Sequence, residues 1–316
     1  MLTRPDISNN ARSFSAVILR QHMSLKNEMW SKLNPSTQLT CKQTLLQLLI
    51  QQPHPFLRKK IDDIVGCLAA KVMAEQPWPE LLPAVFQLFQ AEEADRKATS
   101  FRVLDKLAEF CFPVLAKDLS VLKDMLQAGL SHQSSDVRLA ALTALVTVVL
   151  ALDVQQIVHA QQPFAALLPL VTHGAQAALQ AGIMADSHLA DSLEQLGNVA
   201  QQYPKFLRPV LPDLIEILAA TAQNHEMESA KMMALELMLL LGENAGAMMR
   251  KVRGYVEQAA PICLNYLIQV DEVPLLSTYF LPTLYSFHLN MSNFILHSSR
   301  INPCLCRMTY SASLSP

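Results

Sequence analysis

The chain contains very little glycine, only eight residues among 316. Phosphate-binding loops depend on glycine, and the sequence has no GxGxxG and no GxxxxGK[ST]. The catalytic patterns HExxH and GxSxG are also absent. These absences predict a protein that is not an enzyme, with no cofactor and no metal site.

The chain also has no excess charge of one sign, since 25 basic and 27 acidic residues give a net charge of −2. Such a balance provides no general attraction to nucleic acid or to an anionic membrane surface. Long apolar runs are missing as well, because stretches such as 139–152 are shorter than the roughly 20 residues that span a bilayer. We therefore expect local recognition of proteins, no direct nucleic-acid partner and no membrane insertion.

Neither a signal peptide nor a cysteine framework is visible. The first ten residues, MLTRPDISNN, contain no apolar run of signal-peptide length. Cys41, Cys67, Cys111 and Cys263 are scattered singly through helical patterns. This distribution favours reduced thiols in a reducing compartment.

The residues that are abundant favour helices. Hydrophobic residues make up 51% of the chain, and leucine and alanine dominate among them. Aromatic residues make up 6%, and no stretch alternates β-branched or aromatic residues with period two. The composition predicts an all-α fold.

A two-helix pattern recurs along the chain. The predicted pairs are 35–50 with 55–72, 79–90 with 93–110, 114–130 with 134–150, 163–180 with 183–200, and 208–222 with 225–243. Corresponding positions in the second helices, from Arg58 to Lys231, lie about 43 residues apart, within the range of HEAT repeats. We predict a right-handed α-solenoid of six to seven HEAT-type antiparallel pairs, because stacking completes the core that each pair leaves open.

Proline positions suit the starts of the first helices. A proline in the first helical turn gives up an N–H that has no intrahelical partner. Pro79, Pro163, Pro209 and Pro212 are therefore predicted to begin helices. Trp78 precedes one of these prolines and is predicted to anchor the packing between neighbouring pairs.

The two ends depart from the pattern. Residues 9–23 resemble a second helix without its first helix, which predicts an exposed apolar face. The repeat array is predicted to occupy residues 1–286. Residues 287–316 lack helical periodicity and are predicted to form an irregular tail outside the array.

Two clusters contain residue types that also occur in catalytic sites, but ordinary helix features explain both. Asp186, His188 and Asp191 are neighbours on one helix and cannot form a catalytic relay, so we interpret them as a polar helix start. The run that contains Arg58, Lys59, Asp62 and Asp63 fits a solvated helix face with i, i+4 ion pairs. A charged binding ridge is the alternative interpretation.

Several blocks resemble the importin-beta (karyopherin-beta) family of nuclear transport receptors. The first two, 11–20 and 78–82 (WPELL), resemble the N-terminal repeats of that family. The later blocks, 203–209, 234–236 and 243–251, resemble the importin-five branch. The likeness extends over about residues 9–285, in the family order.

The resemblance implies a transport receptor that carries protein cargo into the nucleus. Such a receptor binds Ran in its GTP form and phenylalanine-glycine (FG) nucleoporins, and it shuttles between cytoplasm and nucleus. We expect a monomer. Since family members have about twenty repeats, the chain resembles an N-terminal fragment, and a truncated product is one explanation.

The repeat pattern also suggests binding residues. In a HEAT array the second helices line the concave side, which makes Lys59, Asp63, Arg102, Lys106 and Glu109 candidates for contact with Ran or cargo. Phe86 and Phe89 on an outer helix are candidates for an FG slot, with core packing as the alternative. The alternative function is that of a HEAT-repeat scaffold or assembly chaperone without transport activity.

Overall fold

The computed structural model describes residues 2, 4, 6–24, 27–73, 78–154 and 158–270. Helices and turns account for the regular structure of these residues, and no strand occurs among them. The chain forms two compact units, Met1–Leu237 and Met238–Pro316. The predicted all-α class is confirmed.

The first unit contains most of the helices that the structure describes. Their bounds are α1 Asn9–Met23, α2 Met29–Lys32, α3 Pro35–Gln51, α4 Pro55–Val72, α5 Leu81–Gln90, α6 Ala94–Leu115, α7 Leu119–Leu130, α8 Ser135–Val154, α9 Val158–Ala165, α10 Leu168–Ala181, α11 Asp186–Gln202, α12 Leu211–Ala222 and α13 Glu228–Asn244, which crosses the unit boundary. Three 3₁₀ segments lie between them, at Ala116–Asp118, Gly182–Ala185 and Pro204–Val210.

The helices of the first unit pack as successive pairs. The first helices α3, α5, α7 and α10 contact the second helices α4, α6, α8 and α11, respectively. The second helices also contact one another in sequence order, from α4 through α6 and α8 to α11. Helix α1 packs against α4, in the position of a preceding second helix. The predicted HEAT-type pairing is confirmed.

The start of α3 shows how the sequence sets these elements. Pro35 occupies the first turn, and the side chain of Asn34 accepts a hydrogen bond from the Thr37 amide at 2.8 Å. The apolar side of α3 then buries Leu49 completely, as α4 buries Ile61 and Leu68. Burial of a side chain of this size contributes about 1.5–3 kcal/mol.

Some prolines do not begin helices as predicted. Pro212 lies in the first turn of α12, but Pro79 lies in the turn before α5, Pro163 lies inside α9 and Pro209 lies in a 3₁₀ segment. The predicted helices 163–180 and 208–222 are consequently each divided into two pieces. Repeated prolines remove amide donors at several positions and prevent one continuous helix.

Helix α6 is longer than the predicted 93–110. It continues to Leu115 past Pro113, and Cys111 adopts non-helical angles (φ −133°, ψ 31°). A proline ring displaces the carbonyl of the preceding turn, so the helix kinks before it continues.

Helix α8 is the only described helix long and apolar enough to cross a bilayer by length and composition. It has 20 residues, because the helix extends beyond both ends of the apolar run 139–152. It contacts α6, α7, α9 and α11, and more than half of its most apolar window is buried. This is the pattern of a helix at the centre of a helical core.

Polar contacts link neighbouring repeats at sequence separations of 40 to 44 residues. Arg102 Nε donates to Asp62 Oδ2 at 2.5 Å, and Thr147 Oγ1 donates to Asp105 Oδ1 at 2.6 Å. The Asp186 carboxylate accepts hydrogen bonds from the amides of Ser229 and Ala230 at 3.2 and 2.8 Å. Asp186 therefore begins α11 and also caps the next second helix, α13.

The N-terminal end of the first unit exposes apolar side chains, as the sequence predicts. Phe14 on α1 is 67% exposed, and Val17 and Ile18 are each 39% exposed. The predicted tail, 287–316, lies outside the described residues.

Among its described residues, 238–270, the second unit contains the end of α13 and two further helices, α14 Gly246–Met249 and α15 Tyr255–Val270. The Tyr255 hydroxyl donates to the Met238 carbonyl at 2.8 Å. Burial raises the pKa of Tyr255 above its usual value, which favours a neutral phenol.

Candidate protein-binding surface

A polar groove of about 450 Å³ runs along the second helices α4, α6 and α8. We name it the acidic groove, because its lining contains five aspartates and three cationic residues. It is lined by Pro55, Phe56, Lys59, Asp62, Asp63, Asp95, Ala98, Arg102, Asp105, Lys106, Asp136, Leu139, Ala140 and Thr143.

Asp62 forms the buried floor of the acidic groove, with only 3% of its side chain exposed. Burial raises the pKa of its carboxyl to about 6, and the Arg102 guanidinium limits that rise. Arg102 also donates from Nη2 to Thr99 Oγ1 at 2.7 Å. The Asp62–Arg102 contact therefore fixes α4 against α6.

Arg58 is also buried, with 4% of its side chain exposed. It donates to the Asp95 carboxylate and to the Gln52 carbonyl, and burial lowers the pKa of its guanidinium while Asp95 opposes that shift. The predicted Arg58–Asp62 ion pair is wrong, because each residue pairs with a residue of α6 instead. The interpretation as a solvated face fails for both, since the fold closes α6 over them.

Lys106 also lines the acidic groove. Its ammonium contacts Asp105 at 3.3 Å and Glu109 at 3.0 Å. Burial lowers the pKa of Lys106, but these two carboxylates outweigh that effect and raise it. The Lys106 side chain thus stays charged at the groove wall.

Four of the five predicted inner-face residues line the acidic groove: Lys59, Asp63, Arg102 and Lys106. Lys59 is exposed and Asp63 is half-buried. Asp63 also raises the pKa of Arg20 on α1, after the larger effect of a hydrogen bond between Arg20 and Cys67. Glu109, the fifth, is exposed and lies beyond the groove lining.

Sequence reasoning missed Asp95, Asp105 and Asp136 as lining residues. A signal for two of them was present, since Asp95 and Asp136 begin consecutive second helices at equivalent positions of the repeat. Alignment of the repeats by helix start would have identified the pair.

A second groove, of about 270 Å³, lies on the other side of α8. We name it the alanine groove. Its lining includes several small residues of α10, together with residues of α7, α8, α11 and the segments between these helices. It is lined by Leu130, Gln133, Ser135, Arg138, Leu139, Leu142, Leu170, Val171, Gly174, Ala175, Ala177, Ala178, Ala181, Met184, Ala185, His188 and Ser192.

Arg138 and His188 contribute nitrogen-bearing side chains to the lining of the alanine groove. Arg138 donates from Nη1 to the carbonyls of His132 and Gln133 at 2.9 and 2.7 Å. His188 Nε2 lies 3.8 Å from Asp136 Oδ1. Its Nδ1 is buried and has no hydrogen-bond partner within the described part of the chain.

The predicted FG-slot residues lie on α5. Phe86 is 37% exposed. Phe89 is half-buried and packs edge-on against Phe101, with ring centroids 5.9 Å apart, while Lys97 Nζ lies 5.5 Å from its ring. Trp78 is buried before this helix, with Lys42 Nζ 5.7 Å from its ring, so it is a packing residue between α3 and α5.

Among the described residues, no group of three or more His, Cys, Asp or Glu side chains is placed to hold a metal ion. The four predicted thiols are free; Cys111 and Cys263 are buried, and Cys41 and Cys67 are half-buried. Burial raises the pKa of the Cys263 thiol to about 11 and also raises that of Cys111.

Two family models match most of the helical region. One, described as IPO5-like, TPR repeats, matches residues 53–217, and one described as Importin repeat matches residues 223–276. Importin subunit beta-3 of Saccharomyces cerevisiae is 26% identical over 232 residues, 73% of this chain and 20% of its own length. The probable importin-5 homolog of Dictyostelium discoideum is 20% identical over 280 residues, 87% of this chain and 26% of its own length.

Solved structures of Kap121p have the same fold. Kap121p bound to RanGTP aligns with a TM-score of 0.69 and 22% identity, over 83% of this chain and 24% of that chain. Kap121p bound to Nup53p aligns with a TM-score of 0.70 and 22% identity, over 88% of this chain and 26% of that chain. The chain thus spans about a quarter or less of the length of these relatives.

Proposed function

Because the chain belongs to the IPO5-like branch of the importin-beta family, we propose that it acts as part of a nuclear transport receptor in protein import. Its proposed partners are protein cargo, the GTP form of Ran and FG nucleoporins. It shuttles between cytoplasm and nucleus, and it works as a monomer by binding rather than by catalysis.

The observation that carries this proposal is the open acidic groove along α4, α6 and α8, within the region that the IPO5-like family model matches. Its buried ion pairs hold the helices together, and Lys59 and Asp63 remain accessible at its surface. Alternating charges of both signs favour polar contact with a folded protein over capture of a polyanion. Ran or cargo would bind along this row of helices.

For the FG contact, we propose that Phe86 contributes one side of an apolar slot on α5. Its exposure of 37% leaves part of the ring available to a partner. Phe89 supports the slot from beneath through its contact with Phe101.

The deciding experiment compares the binding of the full chain to Ran loaded with GTP and with GDP. A transport receptor prefers the GTP form. Equal binding of both forms, or binding of neither, would contradict the proposal and favour a HEAT-repeat scaffold or assembly chaperone without transport activity.

Charge reversal tests the location of the site. We expect the double variant Asp63→Lys, Glu109→Lys to weaken the binding of Ran-GTP at least about tenfold. Two acidic groups of the proposed contact surface then become cationic, and the charge complementarity with the partner is lost. Glu216→Lys on α12 is the matched control, since Glu216 is exposed and lies outside the acidic groove. Unchanged affinity in the double variant would remove the acidic groove as the contact surface.

A further inference from the structure

An apolar groove of about 450 Å³ opens between α1 and α3, and we name it the terminal groove. Its lining shares no residue with the acidic groove or the alanine groove. Helix α1 contributes the face that runs from Ser15 to Met23, and α3 contributes the face that runs from Thr40 to Leu48. Each face covers eight residue steps, which is about 12 Å at about 1.5 Å per residue.

The terminal groove lies where the array places a first helix. Elsewhere in the first unit, a first helix packs beside its own second helix and also contacts a neighbouring first helix. Helix α5 contacts α6 and α3, and α7 contacts α8 and α10. Helix α1 has the position of a second helix, and α3 is the first helix of the next pair. The space between them therefore suits a helix rather than an extended chain.

Apolar side chains at the terminal groove are incompletely covered. Ile18 lines the groove and is 39% exposed, and Phe14, one turn before it on α1, is 67% exposed. Leu19 and Leu48 also line the groove and are half-buried. On α3, Leu39 is 51% exposed next to the groove face. A contiguous apolar surface of this kind is typical of a protein-binding site.

The two helices that form the groove carry charge of one sign only. Their ionisable basic residues are Arg12, Arg20, His22 and Lys42, and neither helix contains an aspartate or a glutamate. His22 lies in the groove lining itself. A ligand with acidic residues beside its apolar side chains complements this arrangement, and a basic ligand does not.

We infer that the terminal groove binds an amphipathic helix of a partner protein, with apolar residues at positions i, i+4 and i+7 and acidic residues beside them. A helix of this kind lays its apolar stripe into an apolar groove. The contact length of about 12 Å corresponds to about two helical turns, which is the length of such a stripe. The apolar residues of the ligand pack against Ile18, Leu19 and Leu48. Because this surface is separate from the acidic groove, the inference goes beyond the proposed function.

The test uses the full chain and a labelled helical peptide with Leu at positions i, i+4 and i+7, Glu beside them and Ala elsewhere. One control peptide has the same composition with its Leu residues spread around the helix, and a second has Lys in place of Glu. Fluorescence anisotropy gives the dissociation constants. We expect both control peptides to bind at least about tenfold more weakly, because the apolar stripe or the charge complementarity is lost.

Substitutions on α1 locate the site. We expect Ile18→Asn to weaken the binding of the Leu/Glu peptide at least about tenfold, since it removes one apolar side chain from the groove. Val17→Asn is the matched control, because Val17 has the same exposed fraction of 39% on the same helix but does not line the groove. We expect Val17→Asn to leave the dissociation constant unchanged.

Alkylation of Cys41 provides a measurement that needs no variant. Cys41 lines the terminal groove and Cys67 does not, and both thiols are half-buried. We expect the bound peptide to slow the alkylation of Cys41, followed by mass spectrometry, and to leave the rate at Cys67 unchanged. The test therefore remains decisive even if Ile18→Asn unfolds.

Equal binding of the Leu/Glu peptide and either control peptide, equal effects of the two substitutions on α1, or an unprotected Cys41 overturns the inference. Self-association of the chain that Ile18→Asn abolishes would assign the groove to a second copy and would also overturn it. The preference for Ran-GTP is measured separately, so failure of the proposed function leaves the peptide result intact, and failure of the peptide result leaves the proposed function intact.

Discussion

Asp62 shows how a single residue links the core of the array to its surface. Its carboxyl group forms part of the groove floor, yet it is almost entirely buried. Because burial is the largest influence on it, its pKa lies at about 6, above the value of 3.8 for an exposed group. The folded state therefore binds a proton more tightly at Asp62 than the unfolded state does.

The raised pKa of Asp62 determines the direction in which its contribution to stability changes with pH. The contribution of Asp62 is fully present below about pH 4 and is lost as the pH rises through about 6. Asn at this position carries no charge to bury. We expect the free energy of unfolding of Asp62→Asn, relative to the natural protein, to increase by about 2 kcal/mol between pH 4.5 and pH 7.5.

Urea denaturation at a series of pH values measures this difference. Asp213→Asn is the control, because Asp213 is exposed on α12. A difference between Asp62→Asn and the natural protein that stays constant with pH, or that falls as the pH rises, would show that Asp62 is ionised in the folded state throughout this range.

Helix α7 packs closely against two second helices at Gly129. A Cβ added to Gly129 would lie 2.7 Å from the Ala141 Cβ on α8 and would overlap the Phe101 ring on α6. Gly129 thus allows α7 to sit against both second helices at once. Glycine in a helix lowers helix propensity by about 1 kcal/mol relative to alanine, and here the close packing offsets that cost.

We therefore expect Gly129→Ala to lower the free energy of unfolding by about 1–3 kcal/mol, because the methyl group overpacks the contact with Phe101 and Ala141. Gly174→Ala on α10 is the matched control. Its nearest neighbour would be 3.8 Å away, so we expect it to raise stability by up to about 1 kcal/mol. Chemical denaturation measures both, and a stabilising Gly129→Ala would mean that α7 does not pack this closely.

At the scale of the first unit, contacts between helices are mostly local. Each pair contacts the pairs before and after it, and hydrogen bonds such as that from Thr147 to Asp105 link neighbouring repeats. In such an array, stability is a sum over repeats and their interfaces. A destabilising substitution in one repeat should therefore affect that repeat and its neighbours and leave distant repeats unchanged.

Hydrogen exchange tests this locality. Leu49 is fully buried on α3, so Leu49→Ala should cost about 2–5 kcal/mol in its own repeat. We expect faster amide exchange in α3, α4 and α5, and unchanged exchange in α11 and α12. Leu193→Ala on α11, also fully buried, should give the reverse pattern. Equal acceleration throughout the first unit by either variant would indicate one cooperative unit instead.

The sequence by itself determined the helical class, the period of about forty residues and the family, because apolar spacing and short motifs are local properties of the chain. It also placed Lys59, Asp63, Arg102 and Lys106 on one face, since equivalent positions of a repeat point the same way. The predicted boundaries 1–286 and 287–316, the binding roles of these four residues and of Glu109, and the roles of Phe86 and Phe89 remain predictions.

Only the tertiary structure decided the partners of these side chains. Arg58 and Asp62 are one helical turn apart and look like a surface ion pair, but α6 covers both and supplies Asp95 and Arg102. The two grooves beside α8 likewise depend on residues from three or more helices. Charge pairing and groove shape arise from distances between helices that are far apart in sequence, and local periodicity does not encode those distances.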